Sequence, residues 1–97
     1  VADVEINGAG IRQELDVHKA LAGKLEFGPY YGWNLAALRD RLLTDVPRPV
    51  HITWRESALS RRALGPEIFG RIVAIFEEAA EQDVSFGWTE RFEFELR

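Results

Sequence analysis

Few side chains in this sequence could carry out covalent chemistry. There is no cysteine, no Gly-rich phosphate loop, no G-x-S-x-G elbow and no H-E-x-x-H pair. His18 and His51 stand far apart, one in a helical pattern and one on the polar phase of a strand. As metal ligands they would need a carboxylate partner that the spacing does not indicate, so each is expected to be structural or superficial. The 16 acidic residues could supply an acid–base pair in almost any domain, and that signal is empty. A small hydrolase built on Asp40 and Glu78 would need a shaped cleft, whereas the face carrying Asp40 reads as convex. No enzyme, cofactor or metal is therefore expected, and what remains is the chemistry of recognition.

That chemistry concentrates between Pro29 and Leu42, where Tyr30, Tyr31, Gly32 and Trp33 lead into a helical pattern. Asn34 can accept hydrogen bonds from the orphan amides of a first turn. Leu35, Leu38 and Leu42 recur on one side and face a core. By the roughly 100° step of a helix, Ala36, Arg39, Asp40 and Leu43 project from a different face. Rigid aromatics beside one exposed carboxylate have the make-up of a protein-binding surface, because Tyr and Trp supply much contact area for few rotors. The competing reading packs the aromatics, Tyr31 above all, over the helix start and leaves Asp40 as a solvated carboxylate.

The elements that must hold this stretch follow from periodicity. Val4 and Ile6 alternate with acidic residues before Asn7-Gly8, a strand followed by a turn in which both residues tolerate positive φ. Val17, Leu21 and Leu25 lay an apolar stripe on a helix that Gly28-Pro29 ends. Residues 49–54 alternate as a strand, with Pro49 at its entrance. A weaker helix runs from Ser57 to Leu64, and Pro66 suits the first position of the next one. There Ile68, Phe69, Ile72, Val73, Ile75, Phe76 and Ala79 make a wide apolar stripe. Residues 84–88 and 92–96 both read as strands. The second is favoured as the third sheet strand, and pairing of both would give a hairpin extension. Strands separated by helical crossovers imply a small α/β domain with a three-stranded parallel sheet.

Composition sets the remaining bounds. A chain of 97 residues, 46% of them hydrophobic, supports one core, so residues 1–97 are expected to form a single domain. Val1–Glu5 has neither a basic n-region nor an apolar h-region, and a cytoplasmic location is expected. The formal charge of −4 lacks the basic footprint of a nucleic-acid binder and would be repelled by anionic lipid. It suits steering toward a basic protein.

The run Tyr30-Tyr31-Gly32, Asn34-Leu35, Ala37-Leu38 and Asp40 resembles the signature of the barstar family. Ile6-Asn7-Gly8, Ile11-Arg12, His18, Pro49, Trp54-Arg55, Phe76 and Glu78-Ala79 match the same pattern in order. The resemblance implies a parallel sheet backed by helices and an intracellular inhibitor of an extracellular guanyl-specific ribonuclease, bound 1:1 by a protein monomeric when free. It also implies that Tyr30, Gly32, Asn34 and Asp40 contact the enzyme, with Asp40 in the phosphate site. Thr44 and Asp45 would lie in a contacting loop, and Glu78 would be a peripheral acidic contact. Ala36 and Arg39 depart from the pattern, which has an acid and a tryptophan there. Trp33 stands in place of an acid and Asp45 in place of an aromatic. These changes leave the barnase and ribonuclease Sa types of enzyme both open as targets. The alternative is an interaction domain that keeps the fold and the Tyr30–Asp40 surface for another partner.

Overall fold

The alternation of Val4 and Ile6 becomes strand β1 (Ala2–Asn7) in the computed structural model, which describes residues 2–97. Asn7-Gly8 does not use positive φ. Asn7 caps a single 3-10 turn, Gly8–Gly10, its side chain accepting from the Ala9 amide at 3.1 Å. Gly8 is needed for another reason: a Cβ there would lie 2.3 Å from the carbonyl oxygens of Arg55 and Glu56. Helix α1 (Glu14–Lys24) opens with a capping box in which Asp16 accepts from the Gln13 amide. Helix α2 (Leu35–Asp40) is followed by a wider π turn over Arg41–Asp45, then by strand β2 (Val50–Arg55). Helix α3 (Ser57–Leu64) stops at Gly65, whose φ of +88° is accessible to glycine, and Pro66 starts helix α4 (Pro66–Ser85).

The sheet is parallel, in the order β1-β2-β3 with β3 at Phe92–Leu96. This is the three-stranded parallel α/β arrangement expected from the sequence. The hairpin alternative is not taken. Val84 and Ser85 finish α4, and Gly87 at φ +73° turns the chain toward β3. Register sets Val4 beside Ile52 beside Phe94, so the even-numbered side chains share one face. That face carries the core, in which Trp54, Phe76 and Phe92 are fully buried and Trp54 packs on Phe69 and Phe76. The Trp54 indole donates to Ser60 Oγ, which in turn donates to Gly8 O, each at 2.9 Å. The opposite face carries Asp3, Glu5, His51, Thr53, Glu93 and Glu95 and remains open to water. Parallel sheets are usually covered on both sides; here strict alternation makes a half-covered one possible.

Candidate partner-binding site

Helix α2 has only six residues, too few for a helix to persist on its own propensity. Contacts hold it in place. Leu38 and Leu42 are fully buried, and Asn34 accepts from the Ala37 amide at 2.8 Å while donating to Gly32 O at 3.2 Å. A Cβ on Gly32 would approach that of Ala37 to 3.1 Å, so a side chain there would press on the first turn.

The other end is held from outside the helix. Gln82 on α4 donates to Leu43 O at 3.0 Å. Arg48 donates to Leu42 O and Val46 O, both at 2.7 Å, and to both oxygens of Asp83, at 2.7 and 3.2 Å. The helix-end carbonyls that water would otherwise satisfy are thus bound by protein donors. Asp83 also accepts from the Phe92 amide at 2.7 Å, which ties α2, α4 and β3 through one buried carboxylate. Burial pushes the Asp83 carboxyl up, but Arg48 and the Phe92 amide outweigh it and hold it below the ordinary aspartate value. Arg48, Gln82 and Asp83 carry no sequence signal of this role, since no periodicity links residues so far apart.

On the outer side the aromatics separate. Tyr30 is 90% exposed and Trp33 46% exposed, whereas Tyr31 is buried at 3%. Tyr31 packs on Phe27 and Trp33 at centroid distances of 4.7 and 5.4 Å, and its hydroxyl meets His18 Nδ1 at 2.6 Å. His18 is therefore structural, as expected. His51 lies on the open sheet face, 3.7 Å from Asp3 and from Glu95. Trp33 adopts φ +57°, a conformation unusual for a bulky side chain and associated with functional surfaces.

Ala36, Arg39 and Asp40 share the exposed side of α2. Leu43 does not join them. The π turn rotates it toward the core, where it is half-buried. Among the described residues the Asp40 carboxylate has neither an ion-pair nor a hydrogen-bond partner, while its backbone oxygen accepts from the Thr44 hydroxyl at 2.6 Å. Asp45 stands 3.8 Å from Arg41 across one turn. Glu78 reaches the same surface from α4 and is bound there by Arg39, Nε to Oε1 at 2.8 Å and Nη2 to Oε2. That bond raises the arginine pKa and lowers the glutamate's. Thr44 thus links Asp40 to Asp45 at the end of α2 and Arg39 joins Glu78 to the same helix, while Tyr30 and Trp33 are exposed in the loop that Gly32 and Asn34 lead into α2.

Among the described residues no cluster of three or more His, Cys, Asp or Glu side chains could hold a metal ion, and no helix is long and apolar enough to cross a membrane. The family profile described as Barstar (barnase inhibitor) matches residues 1–96. That match spans the sheet, all four helices and the whole candidate surface, and the chain belongs to the barstar family of ribonuclease inhibitors.

Proposed function

We propose that this protein, as a single domain and a monomer when free, inhibits an extracellular guanyl-specific ribonuclease inside the producing cell by forming a 1:1 complex that occludes the active site. The observation that carries the reading is the Asp40 carboxylate, exposed and unpartnered on a helix fixed at both ends. A ribonuclease must hold phosphate with cationic side chains, so its cleft is concave and electropositive. A carboxylate presented on a convex, preorganised surface substitutes for a phosphate oxygen and accepts charge-assisted, even bidentate, hydrogen bonds. Tyr30 and Trp33 supply apolar area around that charge, and Thr44 and Asp45 border it. Ala36 leaves room beside Asp40 where the family pattern has a second acid, so the phosphate-mimicking charge rests on Asp40 alone. Association should be fast and salt-sensitive, an expectation carried over from barstar, itself the reference case for steered binding. Titrating purified barnase-type and Sa-type ribonucleases with the protein while following RNA cleavage tests this. Stoichiometric loss of activity in either enzyme is expected. No inhibition of any guanyl-specific ribonuclease would move the surface to a different partner.

A further inference from the structure

Resting on that reading of the α2 surface, we infer that Arg39 is a specificity-determining residue that acts by occupying Glu78, so that the inhibitor discriminates against enzymes needing a second acidic contact. The two side chains come from different helices and meet fork to fork, each carboxylate oxygen taken by one guanidinium nitrogen. This is the geometry in which arginine binds carboxylate best and lysine cannot substitute. Both side chains are near half-exposed, 49% and 44%, so the pair sits on the surface a partner would meet rather than beneath it.

Three consequences follow for recognition. The two charges offset one another, leaving Asp40, flanked in sequence by Arg39 and Arg41, as the α2 carboxylate that no ion pair or hydrogen bond engages among the described residues, whereas Asp45 lies near Arg41. A cation on the partner's rim must displace an intramolecular, bidentate donor before it can use Glu78, which weakens that contact. The guanidinium still has an uncommitted Nη1, which suits a carbonyl or carboxylate on the partner and disfavours an arginine or lysine. The seam between α2 and α4 is thus selective by repulsion as well as by fit. As a purely structural link, an exposed pair of this kind contributes little to stability, so removing it leaves a folded protein in which binding can be read.

The experiment measures association and dissociation rates of the parent, Arg39→Gln, Glu78→Gln and the double variant against two inhibited guanyl-specific ribonucleases, one of high and one of low net charge. Arg62→Gln, which removes an exposed cation from α3, controls for net charge, and circular dichroism checks folding. Arg39→Gln should tighten binding to the basic enzyme at least tenfold, mainly through association at low salt. The gain should be at least fivefold smaller in the Glu78→Gln background, where no carboxylate is released, and the acidic enzyme should change less than threefold. An equal gain in both backgrounds, an equal gain from Arg62→Gln, or weaker binding of Arg39→Gln overturns the inference. If Asp40→Ala abolishes inhibition while Arg39→Gln changes nothing, only this inference fails. If Asp40→Ala inhibits like the parent, the reading of the surface fails with it.

Discussion

The Tyr31 hydroxyl lies 2.6 Å from His18 Nδ1, and the other ring nitrogen lies 2.9 Å from the partly exposed Glu14, so a chain of polar groups, buried at its Tyr31–His18 end, runs from α1 to the loop before α2. Tyr31→Phe keeps the ring packing and strips His18 of a partner, which should cost about 1–3 kcal/mol in denaturant unfolding. Burial first, then the Glu14 charge, push the Tyr31 phenol from 10.0 up to about 12 against a smaller opposing pull from Arg41. The folded state therefore holds that proton more tightly than the unfolded chain. This contribution is complete below pH 10 and is lost between pH 10 and about 12, where stability should fall by roughly 3 kcal/mol. Unfolding curves across that range should show the decline in the parent and a flatter course in Tyr31→Phe. Trp33 separates stability from binding. Its φ of +57° suits glycine, so Trp33→Gly should remain within about 1 kcal/mol of the parent in stability while losing an aromatic anchor. Its affinity for the ribonuclease should fall at least about tenfold by titration calorimetry; a change within about threefold would make Trp33 a packing residue.

At the scale of elements, local chemistry was legible and long-range chemistry was not. The stop at Gly65 and start at Pro66, the stripe of α4 and the cap at Asn34 all follow from side chains acting within one turn, and each stands where periodicity put it. Residues 84–88 and 92–96 both have strand composition; the favoured second run is the one that pairs with β2, while the first finishes α4 and the turn after it. The π turn that holds Leu43, half-buried against the core, was invisible, since a one-residue change in hydrogen-bond spacing leaves no mark on composition. The candidate residues were found by motif, but not the ties that hold them: Arg39 to Glu78 and Arg48 to Asp83 join positions 39 and 35 residues apart. The second tie predicts a measurable dependence. Asp83→Asn leaves Arg48 buried without its counter-charge and should cost about 3–5 kcal/mol in thermal or denaturant unfolding. The parent carboxyl is held below 3.8 in the folded state. Its contribution is present above that pH and is lost as pH falls through the lower folded value. Asp83→Asn should remove that part of the acid limb, and the Leu42–Val46 amides should exchange faster.

For the whole molecule, the fold gives two unlike surfaces. One face of the sheet is polar, open and laced with paired charges such as Glu5 with Arg55. On the far side of the core, the helical layer and the loop before α2 present the exposed Tyr30 and Trp33 together with the unpartnered Asp40 carboxylate. The net charge of −4 is modest, so on the proposed reading selectivity would rest on where charge is left uncompensated rather than on its sum. The barstar pattern was legible because it lies in short motifs that keep their order along the chain, the run from Tyr30 to Asp40 above all. The neutral seam beside Asp40 was not, because it exists only once α4 packs against α2. Asp40→Ala measures the central claim most directly. In a cationic cleft, losing this carboxylate removes its bonds and leaves enzyme cations buried and unpaired. Barstar itself supplies the reference for so large an aspartate effect, and the general hot-spot threshold already requires at least about 2 kcal/mol. Association and dissociation kinetics at low and moderate salt, with circular dichroism on the free variant, should show a folded Asp40→Ala protein that leaves the ribonuclease at least about thirtyfold faster. A folded variant with the parent's dissociation rate would contradict the account, because the surface that blocks the enzyme would then have to lie elsewhere.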